Sequence, residues 1–165
     1  MSYQSIDESL QQEFTHGTLP KNLEGFYKGE LTKIMPGNMT ELIGSFLLKL
    51  WLPWRGKYFY AKKNMGENLL PLSAEKLLRW KFGINNIGKK ESNGFHAFPF
   101  KTSFEKGSKD NIKVLRLDYD LIQNPQRVRM IVDELVEVGK NSYLGKAYIV
   151  ENNDPRLVAF FRLRK

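Results

Sequence analysis

The chain has 165 residues, of which 41% are hydrophobic and 13% aromatic; this is enough for one domain with a sizeable core and too apolar for a disordered chain. It contains no cysteine, so disulfides, thiolate zinc sites and cysteine nucleophiles are excluded. The net charge of +8 would attract nucleic acid, anionic lipid or an acidic ligand, but the basic residues are scattered among acidic ones, which argues against a nucleic-acid surface.

The N-terminal residues MSYQSIDESLQQEF carry neither a basic region nor an apolar run, so no secretory signal is predicted. The most apolar window, MTELIGSFLLKLWLPW, is interrupted by Glu41 and Lys49 and falls short of the roughly 20 apolar residues that span a bilayer. A cytoplasmic location is therefore the default expectation.

Ser5 followed by Glu8 makes a capping box, which predicts a short helix over residues 5–14 that ends near Gly17. We expect this helix to lie against the domain as a lid. Residues 25–34 alternate with the period of a strand. Asn38 is a candidate cap for a helix over residues 39–51, which carries a broad apolar stripe and ends at Pro53.

Aromatic content predicts a strand over residues 55–60, followed by a turn at 65–68 and an apolar run at 69–72. Residues 74–88 fit a helix and a strand equally. Residues 95–104 read as a strand in which Pro99 indicates an edge or a bulge. Residues 112–121 alternate more cleanly.

Asn124-Pro125 looks like a helix start, with Val128, Ile131 and Val132 on one face of a brief helix. Residues 134–138 and 143–150 form a predicted hairpin about Gly139. Residues 157–163 form a final strand. Its alternation places Phe161 with the inward set and Arg162 with the outward set.

Eight or nine short strands joined by local turns predict a mainly β fold, an antiparallel up-and-down barrel over residues 1–165 with residues 1–20 as a helical extension. The alternative is an α+β roll with the 39–51 helix packed across a sheet. The four strands between residues 112 and 164 should be consecutive antiparallel neighbours.

Several short segments resemble those of small uncharacterised bacterial proteins with lipocalin-like barrels, the GXWXG type. The segments are Gly25-Phe26-Tyr27-Lys28-Gly29, Trp54-Arg55-Gly56-Lys57, Tyr119-Asp120, Pro125, Asp133-Glu134, Leu144-Gly145-Lys146 and Phe160-Phe161. In this chain Phe26-Tyr27 stands where the group has tryptophan. The resemblance implies a calycin-like barrel for a small apolar ligand.

The leading hypothesis for function is non-catalytic binding of a small apolar or amphipathic molecule, such as a fatty acid or related lipid, inside the barrel. Aromatic residues would line the pocket, and a cationic or phenolic group would hold the polar head. The candidates are Trp51, Trp54, Phe59, Tyr119, Tyr148 and Phe161 for the wall, and Arg55, Lys57 and Lys146 for the head.

Two other classes of function stay open. One is an enzyme that uses His96 or a pair among Asp118, Asp120, Asp133 and Glu134 as acid and base. The other is a basic module that contacts a membrane or nucleic acid, with the 39–51 helix at the lipid interface. The chain has only two histidines, which are too few for a zinc site made of histidines alone. It contains no familiar catalytic or cofactor-binding motif, so no cofactor is predicted.

Overall fold

A computed structural model describes residues 5–35, 37, 54–83 and 87–165. Within these residues, nine strands lie in a single sheet in which every neighbouring pair is antiparallel. The strands are β1 (Gly25–Ile34), β2 (Gly56–Tyr60), β3 (Met65–Leu70), β4 (Lys90–Glu91), β5 (Gly94–Lys106), β6 (Lys113–Asp118), β7 (Ile131–Gly139), β8 (Ser142–Glu151) and β9 (Asp154–Arg164).

Eight of these strands close into a barrel. The order is β3-β2-β1-β9-β8-β7-β6-β5, and β5 pairs back onto β3, while the two-residue β4 pairs with β5 only. Closure leaves no free edge among the eight strands. The predicted up-and-down, lipocalin-like barrel is confirmed, and so is the antiparallel sequence of the last four strands.

The N-terminal helix α1 (Ile6–His16) forms as its capping box predicts, with Ser5 accepting from the backbone N–H of Glu8 at 3.2 Å. Its apolar face packs on the outer wall of the barrel. There Leu10 and Phe14 join an apolar group, called here the outer cluster, whose other buried members are Val114, Val136, Leu144 and Phe160. Glu13 also accepts two hydrogen bonds from Arg162, at 2.8 and 2.5 Å. The helix therefore covers a side of the barrel.

Loss of the cap should loosen this cover. Ser5→Ala removes the side-chain acceptor for the first turn and is expected to lower the free energy of unfolding by about 1 kcal/mol. Urea denaturation of the full chain measures the loss. Ser5→Thr keeps a hydroxyl acceptor and should stay close to wild type; an equal loss in both variants would contradict the capping role.

Proline in β5 is accommodated by a bulge. Phe98, which precedes Pro99, has φ +52°, and the pairing of β5 with β3 shifts register between Gly66 and Asn68. The bulge is one of the two outcomes predicted for this strand. The other predicted outcome, an edge strand, is wrong, because β5 pairs with both β3 and β6.

Two local predictions are wrong. Residues 128–130 make one 3-10 turn, and Ile131 and Val132 already belong to β7. The Asn124 side chain donates to the carbonyl oxygens of Pro99 and Tyr119 instead of capping a helix. The turn expected at residues 65–68 is also misplaced. The chain reverses over residues 61–64, where Asn64 adopts the left-handed conformation, and β3 begins at Met65.

Part of the ambiguous stretch 74–88 is helical. Helix α2 (Glu75–Phe82) follows a 3-10 turn over Leu72–Ala74 and ends at Gly83, which has φ +61°. No helix in the described part of the chain is long and apolar enough to cross a membrane. The predicted 39–51 helix lies outside the described residues.

Inward and outward side chains alternate along the strands, as the period of two requires. In β9, Ala159, Phe161 and Leu163 belong to the interior core and Phe160 to the outer cluster, so the predicted inward direction of Phe161 is confirmed. A register shift opposite Ala147 and Tyr148 breaks the alternation nearby. As a result, Val158 rather than Leu157 lies in the interior core.

Candidate functional site

A lysine ammonium lies inside the barrel. The alternation of β2 turns Lys57 and Phe59 inward, and both are buried. A charge in such a place requires partners, because an unpaired ion loses its hydration at a cost of several kcal/mol. Burial lowers the pKa of Lys57, and the nearby Asp133 carboxylate opposes that lowering.

The ammonium has three hydrogen-bond partners. Its Nζ lies 2.8 Å from Asp133 Oδ2, 3.0 Å from Asn68 Oδ1 and 2.5 Å from the Tyr119 hydroxyl. An ammonium has three N–H donors, so each donor has one acceptor. Lys57 is therefore fully satisfied by the protein.

The partners are also bonded to one another. Tyr119 donates to Asp133 Oδ2 at 3.1 Å and accepts from Asn68 Nδ2 at 3.0 Å. Asn68 donates further to the Phe98 carbonyl at 3.2 Å and accepts from Trp54 Nε1 at 3.1 Å. Burial, followed by the charge of Asp133, raises the pKa of Tyr119 well above its usual value, which keeps the phenol protonated as a donor.

Four aromatic rings surround the same ammonium. Their centroids each lie 5.2 Å from Lys57 Nζ, within the range of cation–π attraction, and they belong to Trp54, Phe100, Tyr119 and Phe161. Trp54 and Phe161 also meet edge to face at 5.6 Å. We call Lys57 with these four rings the Lys57 box.

Glycines on the inner face make room for three of the rings. A Cβ at Gly29 would lie 2.4 Å from the Trp54 ring, one at Gly66 would lie 2.4 Å from Phe100, and one at Gly145 would lie 2.2 Å from Phe161. Such distances are far inside van der Waals contact, so each ring lies directly on a strand that lacks a side chain at that point.

Two small cavities adjoin the Lys57 box. One, of about 30 Å³, is lined by Trp54, Asn68, Leu70, Phe98, Tyr119, Val128, Ile131 and Asp133. The other, of about 10 Å³, is lined by Leu31, Trp54, Lys57, Asp133, Ala147, Ala159 and Phe161. Each is of the order of one water molecule, so the interior around the Lys57 box is nearly filled with side chains.

The predicted site residues separate into groups. Trp54, Lys57, Phe59, Tyr119 and Phe161 are brought together in the interior. Arg55 is exposed, and its backbone links β1 to β3 through bonds with Gly29 and Leu69. Trp51 lies outside the described residues.

Lys146 and Tyr148 lie on the outer face of β8. Lys146 Nζ is buried beneath α1, 2.6 Å from Asp110 Oδ2 and 4.3 Å from the Phe14 ring centroid. Tyr148 is buried near Glu134, and burial raises the pKa of its phenol. These two side chains are therefore separated from the Lys57 box by the barrel wall.

The acidic residues and the histidine considered as acid and base do not converge. Asp133 points into the barrel, whereas its neighbour Glu134 points outward and accepts from Ser108 at 2.7 and 2.5 Å. Asp118 and Asp120 pair with Arg116 and Arg129 at the surface.

His96 is buried outside the barrel. Its Nδ1 lies 2.9 Å from Glu67 Oε2, and its Nε2 lies 3.3 Å from Glu91 Oε1. Across the described residues, no group of three or more His, Cys, Asp or Glu side chains is arranged to hold a metal ion.

Sequence reasoning did not assign Asn68 or Phe100 to this site. It considered Asp133 only as an acid or base and not as the partner of Lys57. The signal for Asp133 was present, because Ile131, Asp133 and Leu135 alternate onto one face of β7. The prediction of a helix across residues 128–132 concealed that alternation.

Comparisons with known proteins support the fold. No protein-family model matches the chain, and no curated protein matches it significantly. A crystal structure of a protein from Thermomonospora curvata is similar over 98% of this chain and 88% of that chain, with a TM-score of 0.53 and 13% sequence identity. At that identity the likeness concerns the fold alone.

Proposed function

We propose that the protein binds a small amphipathic molecule, without transforming it, inside the barrel beside the Lys57 box. The observation that carries this proposal is the buried ion pair of Lys57 and Asp133 next to a cavity whose walls are otherwise mainly apolar. Replacing a buried ion pair by apolar side chains is often neutral or stabilising. Stability alone therefore does not require the pair, which supports a role in binding.

The hydrogen bonding favours a particular polar head. All three donors of Lys57 are in use, so the ammonium has none left for the carboxylate of a ligand. The Lys57 ammonium and the Tyr119 hydroxyl both donate to Oδ2 of Asp133, and Asp133 lines both cavities. We therefore infer a head that donates a hydrogen bond to Asp133, namely a hydroxyl or an amine.

Size sets a second condition. Cavities of about 30 and 10 Å³ hold no more than a water molecule each, so the apolar part of the ligand must displace side chains. Leu70 and Val128 are the apolar wall residues nearest the end of the barrel where β3 ends and β7 begins. The resemblance to GXWXG-type barrels implies the same class of small apolar ligand and stays a prediction.

A comparison of hexan-1-ol, hexylamine and hexanoate tests the proposal. We expect the alcohol and the amine to bind at least about tenfold more tightly than the acid, which corresponds to about 1.4 kcal/mol. Titration calorimetry and the NMR signal of the Trp54 indole N–H report binding. If hexanoate binds as tightly as hexan-1-ol, the role of Asp133 as the head-group acceptor is wrong.

Enlarging the cavity should increase affinity. Leu70→Ala removes about three methyl-sized groups from the cavity wall and is expected to raise the affinity for hexan-1-ol while lowering stability by about 2–5 kcal/mol. Leu144→Ala is the matched control, because Leu144 is equally buried but belongs to the outer cluster. Failure of both wild type and Leu70→Ala to bind any of the three probes would contradict a ligand role for the interior.

A further inference from the structure

One end of the barrel carries two long connections of the described chain. The connection between β3 and β5, which contains α2 and β4, leaves and re-enters the barrel there, and so does the connection between β6 and β7. We call this the mouth end. Leu78 of α2 and Val128 of the second connection are buried in the interior core, so both connections cover the barrel here.

Large apolar side chains project from these connections into solvent. Trp80 is 87% exposed, Ile122 is 86% exposed and Leu72 is 46% exposed. The exposure of Trp80 follows from the geometry of α2, because the helix turns Leu78 toward the core and carries Trp80 on another face. Isolated apolar residues are common on protein surfaces, but a nearly bare tryptophan and isoleucine at one end are notable because folding gains nothing from them.

The same connections are basic. Residues 71–93 contain five Lys or Arg and two Glu, and residues 119–130 contain two Arg and one Asp. Lys76 and Arg79 lie exposed on α2, one turn before Trp80 and directly before it, and Lys89 and Lys90 are exposed before β5. Arg79 and Lys90 share Glu75 as a partner and Lys89 pairs with Glu91, so the cations outnumber the carboxylates that they contact. Exposed apolar side chains among cations at one end of the barrel match a surface that is anionic outside and apolar beneath.

We propose that the mouth end docks on an anionic lipid bilayer, with Trp80 and Ile122 inserted into the headgroup region. Tryptophan prefers the membrane interface, where its ring meets apolar chains and its N–H meets water or headgroups. The surrounding lysines and arginines are attracted to anionic headgroups. Nucleic acid would use the charge but gain nothing from an exposed isoleucine.

Co-sedimentation of the full chain with vesicles measures the docking. We expect binding to vesicles of phosphatidylcholine mixed with phosphatidylserine, weakened by added salt because the charges are screened. Trp80→Ser/Ile122→Ser should lower the partition coefficient by about tenfold or more. Phe104→Ser is the matched control, since Phe104 is 63% exposed on β5 near the other end of the barrel.

Charge has a matched control as well. Lys89→Gln/Lys90→Gln should weaken binding, whereas Lys62→Gln/Lys63→Gln, at an exposed lysine pair on the opposite end, should leave it within about twofold of wild type. Trp80→Phe should retain most of the affinity but lose the blue shift of tryptophan emission that insertion produces. Circular dichroism confirms that each variant is folded.

Several results would overturn the proposal. They are the absence of vesicle binding, equal binding to vesicles of phosphatidylcholine alone, equal losses in Phe104→Ser and the Trp80/Ile122 variant, and a Trp80-dependent dimer in place of vesicle binding. The vesicle measurement uses none of the small-molecule probes, so a negative result leaves the proposed interior ligand site untested.

Discussion

Asp133→Asn is expected to lower the free energy of unfolding by about 3–5 kcal/mol at neutral pH, because it leaves the Lys57 ammonium buried without its counter-charge. Asparagine keeps the shape of the side chain, so the loss reports charge rather than packing. Denaturant unfolding of the full chain measures it. A loss below about 1 kcal/mol, the range of exposed pairs, would show that solvent reaches the pair.

The double variant Lys57→Met/Asp133→Asn is the control. Removal of both charges should recover much of the stability, since a buried pair is often replaceable by apolar groups at little cost. Lys57→Met alone should be as damaging as Asp133→Asn, because Asp133 is then the unpaired ion. If the double variant shows the sum of the two single losses, the residues do not act as a pair.

The pH dependence of Asp133→Asn has a predictable sign. Burial lowers the pKa of Lys57 and Asp133 opposes this lowering, so the pKa falls further in the variant. Between that value and the ordinary 10.5, the unfolded chain holds a proton that the folded chain has released, and stability rises with pH. The double variant lacks Lys57 and should lack this rise in stability with pH. Measurements stay well below pH 10.0, where an ordinary tyrosine is half ionised.

The barrel could be predicted because its strands alternate. Residues 112–121 and 159–163 repeat with a period of two, and the hairpin about Gly139 has a short turn that forces antiparallel pairing. Residues 128–132 could not be assigned in the same way. Asn124, shortly before this segment, donates to the carbonyl oxygens of Pro99 and Tyr119, which only the fold brings close together. This use of its side chain has no local signature in the sequence.

Half of the candidate site was accessible to sequence reasoning for a similar reason. Aromatic residues and lysines in or beside the predicted strands indicated Trp54, Lys57, Tyr119 and Phe161, all of which belong to the Lys57 box. The inner and outer faces of β8 could not be told apart, because α1 buries part of the outer wall and makes both faces apolar. Lys146 therefore had the same appearance as Lys57.

The glycine beneath Phe161 permits a second large prediction. Gly145 and Phe161 are directly opposite each other in β8 and β9, and a Cβ at Gly145 would lie 2.2 Å from the phenyl ring. Gly145→Ala should therefore push the ring out of the Lys57 box and destabilise the protein by about 1–3 kcal/mol. Phe161→Ala, at a buried position with packed neighbours, should cost about 3–5 kcal/mol.

Combining the two changes tests whether that contact is the cause. In Phe161→Ala the space of the ring can accept the methyl group that Gly145→Ala adds, so the double variant should be little less stable than Phe161→Ala alone. The stability loss of the double variant should therefore be smaller than the sum of the two single losses by about 0.5–3 kcal/mol. Denaturant midpoints and slopes measure all three losses. Gly139→Ala is the control, because a Cβ there meets its nearest atom at 3.8 Å and should change stability by less than about 0.5 kcal/mol. Strictly additive losses would show that Gly145 is required for a reason other than the ring of Phe161.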